Sequence, residues 1–323
     1  MEQTPVIVGP TAGGKTGLAI GLARALLAHG QRAEVVTADA FQVYRGMDIG
    51  TAKPTLEERA GIVHHLIDIV EPRDRFTASE WLARAKGVIA DCRERGVVPI
   101  VVGGTHLYVK LLMDGMFEGP GADEALREEL RAMEPSALRA ELECVDPDAA
   151  GRLHPNDVRR TIRAVEVFRL TGVPISRHQA QWNRDEARSQ EAEFRLIELE
   201  WPTELINRRI NARVRLMMER GLLEEVRRLR DAGAFEAAGQ GNQAREALGY
   251  KQLLAHLEER CTLDEAVERI KIDTRHLGKS QRTWLRRLRT TPRGVWIDAG
   301  ALEEREWVGR ALATGGEAFG IRA

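Results

Sequence analysis

Eight residues near the start of the chain, Gly9-Pro10-Thr11-Ala12-Gly13-Gly14-Lys15-Thr16, set three glycines, a lysine and a threonine in the spacing G-x-x-x-x-G-K-[ST]. Glycines let backbone N–H groups close around an anion, the lysine adds a point charge, and the threonine hydroxyl suits a magnesium ion. A helix starting here would turn its positive N-terminus toward the same anion. The chemistry indicated is the binding of a di- or triphosphate by Gly9, Thr11, Ala12, Gly13, Gly14, Lys15 and Thr16. Two more residues of chemical interest follow apolar runs. Asp39 ends the run Ala33–Ala38, and Thr105 follows Val97–Val102 through Gly103-Gly104. A carboxylate at such a place can take up a proton. A hydrolysing NTPase would put a magnesium-binding aspartate after the third strand. This chain has two glycines and a neutral hydroxyl there, which suits an enzyme that holds a phosphate leaving group.

The elements that must position these groups read as strands alternating with helices. Val6-Ile7-Val8 leads into the glycine loop, and Leu18, Leu22, Ala25 and Leu26 after it keep helical spacing. Ala33–Ala38 and Val97–Val102 are continuous apolar runs, as in strands buried on both faces of a parallel sheet. Helical periods fill 79–95 and 106–113. The pattern predicts an α/β fold, a doubly wound parallel sheet, with ligands beyond the carboxyl ends of the strands. Asp39 is then expected to face the loop from the neighbouring strand. After Gly119-Pro120-Gly121 the character changes to short amphipathic helices over 123–171 and a polar stretch over 176–193. Phe194–Trp201 reads as a return strand, followed by helices over 204–220, 222–231 and 263–289 and a late strand over 294–297. The expected organisation is a first core segment 1–119, an inserted all-helical domain 120–193, and a second core segment 194–323.

Charge narrows the partners. The net charge is −1, so no global attraction to a polyanion exists. Yet residues 269–293 hold nine Arg or Lys against one acid, Arg159, Arg160 and Arg163 cluster on one predicted helix, and residues 123–148 hold nine acids against three arginines. A near-pure basic segment in a neutral chain indicates a local phosphate-backbone track for RNA. The three cysteines are widely spaced and odd in number, which argues against a disulfide framework and a zinc site and for a reducing compartment. No apolar run approaches the roughly 20 residues that span a bilayer. The chain begins its first strand too early for a signal peptide, and a cytoplasmic monomer with no membrane contact is expected.

The segments GPTAGGKT (9–16), ADAFQVYRGMDIGTAKP (38–54), VVGGTHLY (101–108), HPNDVRR (154–160), EALGYKQ (246–252) and TRHLGKSQRTWLR (274–286) together resemble the bacterial tRNA dimethylallyltransferases, or isopentenyl-diphosphate:tRNA transferases. The likeness covers nearly the whole chain. It implies a P-loop NTPase-like core with the helical domain inserted. It also implies transfer of a dimethylallyl group from dimethylallyl diphosphate to the N6 amine of the adenosine 3′ of the anticodon in a tRNA anticodon stem-loop, with Mg²⁺ as cofactor. By the same resemblance Asp39 is the general base, Thr105 lies near diphosphate and target base, Arg227 contacts the diphosphate with the loop residues, and Thr16 ligates the metal. The tRNA contacts it implies are Asp39, Ala40, Phe41, Gln42 and Thr105, then Arg127, Arg159, Arg160, Thr161, Ile162 and Arg163, then Glu246, Gly249, Tyr250 and Lys251, and finally Arg275, Lys279, Gln281 and Arg286. The chain departs from the family in having Ala40 for the usual serine, Ser280 for the usual arginine between Lys279 and Gln281, and Glu246 where neutral or basic residues are common. The competing readings are an isopentenyltransferase for free adenine nucleotides, a P-loop small-molecule kinase and a non-catalytic RNA-binding protein.

Overall fold

The structure is a computed structural model and describes residues 3–115, 119–182, 193–236, 242–288, 294–315 and 319. Residues 183–192 of the polar stretch, 289–293 of the basic segment and the side chain of Arg287 lie outside the described residues. The chain divides into two compact units. One joins Met1–Leu112 to Glu191–Ala323, and the other is Met113–Gln190. The division falls a few residues before the glycine-proline break at 119–121.

Among its described residues the first unit is built on six parallel strands. β1 (Thr4–Val8) runs into the glycine loop and then α1 (Lys15–Ala28), which buries Leu18, Leu22 and Leu26 at four-residue spacing. β2 (Ala33–Ala38) and β3 (His64–His65) follow, then α2 (Ala78–Glu94), whose start is fixed by a capping box between Thr77 and Glu80. β4 (Val98–Gly103) and α3 (His106–Asp114) complete the first half. Two-residue β3 is too short to leave a periodic signal, and the sequence reading missed it.

The strand order is β3-β2-β4-β1-β5-β6. β2 is therefore not the neighbour of β1 that the sequence predicts. β4 stands between them, because the crossover carrying α2 brings the later strand into the central gap. The register pairs Ala38 with Gly103, so Asp39 and Thr105 follow from adjacent strand ends. The two ends approach so closely that a Cβ on Gly103 would lie 2.0 Å from the Ala38 carbonyl oxygen, which only glycine avoids.

The second unit holds five helices among its described residues: α4 (Glu124–Ala132), α5 (Pro135–Val145), α6 (Pro147–Arg152), α7 (Val158–Thr171) and α8 (Ile175–Trp182). Leu130, Leu138, Leu142, Ile162, Val165 and Val167 form its own core. Inside it Glu166 is fully buried. Arg127 and Arg163 reach it at 2.8 and 2.6 Å, and the Asp123 N–H donates to it at 2.9 Å. Burial pushes this carboxyl up, but the two guanidinium hydrogen bonds outweigh it and hold the group below its ordinary value.

The chain re-enters the sheet through β5 (Phe194–Glu200), then α9 (Thr203–Glu219) and α10 (Leu222–Asp231). α11 (Tyr250–Leu257), α12 (Leu263–Leu288), β6 (Val295–Asp298) and α13 (Glu304–Gly315) end the fold. α13 packs against α1 through Trp307 and Ala311, which join the main core with Ile7, Ile100 and Ile197.

Candidate active site

The glycine loop is held open from outside. Trp201 Nε1 donates to Gly13 O at 3.1 Å, and Arg209 Nε donates to Ala12 O at 2.9 Å while its guanidinium stacks on Trp201. Gly14 takes a left-handed φ of 87°, and a Cβ there would strike Trp307 at 2.6 Å. With the outer carbonyls engaged, the N–H groups of Gly14, Lys15 and Thr16, at the start of α1, have no helical partner and remain for an anion. They line a cavity of about 150 Å³ with Thr11, Asp39, Gly103, Gly104 and Arg213. That is small beside the roughly 300–1,000 Å³ of pockets that enclose drug-sized ligands. It holds an anionic head group, and a neighbouring cavity of about 710 Å³ shares Thr16, Gly17, Ala52, Pro54 and Arg213 with it.

Lys15 Nζ donates to Pro10 O at 2.8 Å. Desolvation, with Arg213 nearby, lowers its pKa to about 8, and Asp39 only partly opposes this. Arg213 is itself held below its ordinary value by burial and by Arg209. Two cations pressed together in a partly shielded cleft are a site that an anion relieves.

Asp39 lies in this cavity as expected. Its Oδ1 accepts from the N–H groups of Phe41 (2.9 Å) and Gln42 (3.2 Å), an Asx turn that fixes the carboxylate. The Ala40 N–H donates to Thr105 Oγ1 at 3.0 Å. The Gln42 amide is spent on Thr51 O and Ala52 O, at 3.0 and 3.3 Å. Asp39 thus meets the loop in one cavity from the end of β2, and Thr105, which is not among the lining residues, adjoins it through Ala40 at the end of β4.

Several residues expected to meet tRNA have partners within the protein. Gln281 is buried, accepting from Thr11 N–H at 2.7 Å and donating to Gly104 O at 3.0 Å, so its amide faces the loop. Tyr250 is buried with its hydroxyl on Glu225 at 2.6 Å, and burial together with that carboxylate raises it well above its ordinary value. Glu225 also receives the N–H groups of Asp48, Ile49 and Gly50, tying the loop after β2 to α10. Gly249 is buried at the start of α11. Thr161 and Ile162 face the second unit's interior, and Arg127 and Arg163 are engaged by Glu166. Arg275 donates to Asn211 at 2.8 Å. Arg159, Arg160, Glu246, Lys251, Lys279 and Arg286 are exposed, while Ala40 and Phe41 are half-buried beside Asp39.

Arg227, expected at the diphosphate, stands outside the cavity lining. It is half-exposed on α10, 4.0 Å from Glu224, and does not line the cavity. The guanidinium that does is Arg213 on α9. Ile206, Ile210 and Val214 form the buried stripe of that helix, and Arg209 and Arg213, four residues apart, flank it. That spacing was the available signal, but no motif surrounds it.

The chain is similar to known proteins. Residues 42–288 match the IPP transferase family. A tRNA dimethylallyltransferase of Syntrophobacter fumaroxidans is 45% identical over 300 residues, covering 91% of this chain and 83% of that protein. One of Geobacillus thermodenitrificans is 43% identical, covering 88% of each. The crystal structure of the full-length tRNA isopentenylpyrophosphate transferase of Bacillus halodurans matches with a TM-score of 0.68 at 35% identity, covering 99% of both chains. A eukaryotic dimethylallyltransferase acting on tRNA matches with a TM-score of 0.83 at 27% identity, covering 100% of this chain and 81% of that one.

Proposed function

Since the chain belongs to the IPP transferase family, we propose that it transfers the dimethylallyl group of dimethylallyl diphosphate to the N6 amine of the adenosine 3′ of the anticodon in tRNA. The observation that carries the reading is the shared cavity: the Asp39 carboxylate opens onto the space lined by the loop and Lys15. The allylic carbon–oxygen bond breaks, its electron pair leaves with the diphosphate, and the carbon bonds to N6. The amine proton passes to Asp39. Oδ1 is occupied by two backbone donors, so Oδ2 is the accepting atom. Thr105 Oγ1 accepts from Ala40, which leaves its own O–H to donate to the diphosphate. Lys15, Arg213 and the loop amides stabilise the charge gathering on the leaving group.

Thr16, whose side chain lines the cavity at the start of α1, would hold Mg²⁺ together with oxygens of the bound diphosphate. The ion, when bound, would neutralise diphosphate charge. The exposed cations Lys279 and Arg286 on α12, with Arg159 and Arg160 on α7, supply phosphate-backbone contacts to the tRNA. The three free cysteines agree with work in the cytoplasm. Among the described residues no helix is long and apolar enough to cross a membrane.

Mass spectrometry of tRNA incubated with the protein, Mg²⁺ and dimethylallyl diphosphate tests the reading. A prenylated adenosine in the anticodon loop is expected. Modification of AMP in preference to tRNA, or phosphate transfer from ATP with no prenylation, would overturn it.

A further inference from the structure

Away from the candidate active site, Glu34, His65 and Cys92 bring a carboxylate oxygen, a ring nitrogen and a sulfur within 4.8 Å of one another. His65 Nε2 lies 2.7 Å from Glu34 Oε2, and Cys92 Sγ lies 3.5 Å from the same oxygen. Glu34 is the second residue of β2, His65 ends β3, and Cys92 lies in the last turn of α2. Cysteine spacing along the chain argues against a zinc site, but these ligands come from three separate elements, which spacing cannot show. Five residues of strand separate Glu34 from Asp39, about 16 Å, so the cluster sits at the other end of β2 from the glycine loop.

A cation already stands among these groups. Arg95 Nη1 and Nη2 donate to the two Glu34 oxygens, both at 2.8 Å, and Nη2 is 3.5 Å from Cys92 Sγ. Cys92 is fully buried, but the Arg95 side chain is 36% exposed and its Nε donates to Asp91 at 2.9 Å on the surface. The guanidinium can therefore swing out while keeping Asp91, which opens a path from solvent. Zinc holds a thiolate at about 2.3 Å and imidazole nitrogen or carboxylate oxygen at about 2.0–2.2 Å, which sets tetrahedral ligand atoms roughly 3.3–3.7 Å apart. The separations here bracket that range, so small side-chain rotations close the site. A sulfur and an imidazole among the donors suit a zinc-like ion and not Mg²⁺, which takes oxygen ligands.

We propose that Glu34 Oε2, His65 Nε2 and Cys92 Sγ form a site for one divalent transition-metal ion of the zinc class, and that Arg95 holds its place until the ion arrives. Coordination releases the thiol proton to solvent, and water takes the fourth position. The thiolate and the carboxylate then balance the two positive charges, so Arg95 is no longer needed there. The bound ion joins the two-residue edge strand β3 and the end of α2 to β2, so it acts as a staple for this edge of the sheet.

Titration of the full chain, stripped of metal and free of any affinity tag, with Co²⁺ as the probe tests this. The buffer contains Mg²⁺ to satisfy the glycine loop. A thiolate-to-cobalt charge-transfer absorption is expected to saturate at one equivalent and to vanish when Zn²⁺ is added. Cys92→Ser is expected to abolish the absorption, and His65→Ala to weaken Co²⁺ binding at least about tenfold. Arg95→Ala removes the competing cation and is expected to tighten binding at least about threefold. Zn²⁺ is expected to raise the Tm of the unsubstituted protein and not that of Cys92→Ser. No thiolate absorption in excess Co²⁺ overturns the proposal, whether or not the variants fold. Absorption that survives Cys92→Ser also overturns it, by placing the ion on Cys144 or Cys261, and so does unchanged or weaker binding in Arg95→Ala.

Discussion

The Thr105 hydroxyl accepts a 3.0 Å hydrogen bond from the N–H of Ala40, the residue after Asp39. This one bond links the ends of β2 and β4 and fixes the base relative to the hydroxyl donor. The side chain at position 40 takes no part in it. Asp39→Asn keeps an oxygen for the Phe41 and Gln42 amides but removes the base. Its kcat is expected to fall about 10²- to 10⁴-fold with tRNA affinity nearly intact. Single-turnover transfer and filter binding measured together check this, and near-normal turnover would remove Asp39 from the mechanism.

The depressed Lys15 makes donor binding pH-dependent. Its charged form is the one that binds diphosphate, and in the free enzyme it is lost as pH rises through about 8. The sign follows from linkage: a bound anion favours the ammonium, so between pH 8 and the ordinary lysine range diphosphate binding takes up a proton. Calorimetry near pH 8.5 in buffers of different ionisation enthalpy should show up to about one more proton bound by the unsubstituted protein than by Lys15→Met. Equal proton counts would show that the lysine is already charged.

Arg213 and Arg227 separate what the fold shows from what the sequence suggested. Arg213→Ala removes a guanidinium from the cavity wall and is expected to raise the KM for dimethylallyl diphosphate about 10- to 100-fold, the scale of one charge-assisted hydrogen bond. Arg227→Ala, half-exposed beside Glu224, is expected to change it less than about threefold. Steady-state kinetics with varied donor decide, and the reverse ranking would restore Arg227.

What was legible in the sequence was what repeats or punctuates. The loop, the apolar strands and the place of Asp39 and Thr105 were readable because glycine spacing and continuous apolar runs encode them locally. The order β2-β4-β1 was not, because a crossover can land on either side of its parent strand. Gln281 and Tyr250 are implied as RNA contacts by the family resemblance alone, and the local sequence does not reveal their burial. Their burial depends on Thr11, Gly104 and Glu225, partners far away in sequence. Arg213 was hidden for the same reason: only the folded sheet brings α9 to the loop.

Glu166 gives the helical unit an acid-sensitive core. Its folded pKa is lowered, so its contribution to stability is full above the ordinary carboxylate range and is lost as pH falls below it. Glu166→Ala leaves Arg127 and Arg163 without their shared carboxylate and is expected to cost about 3 kcal/mol. Denaturant unfolding at pH 7 and pH 4 tests both statements. The variant should be less stable at pH 7, and the gap should narrow at pH 4. A gap that does not change with pH would assign the loss to packing alone.

The salt dependence of tRNA binding should follow exposure rather than sequence proximity. Lys279 and Arg286 lie seven residues apart on α12, on one face, and both are exposed. Arg275 sits on the same helix but is held by Asn211. Each phosphate neutralised contributes about −0.7 to −0.9 to the slope of log K against log salt. Lys279→Ala and Arg286→Ala should each flatten the slope by up to about one unit, and Arg275→Ala by much less. On the helical unit, the Arg160 side chain is 74% exposed, with its guanidinium 3.4 Å from Asp157, so its replacement too should flatten the slope. Arg163, bound to buried Glu166, should instead lower stability without moving the slope. Affinities measured over a tenfold range of salt would show the pattern. A slope that no exposed-cation variant moves would make these arginines and lysines an ordinary solvated face.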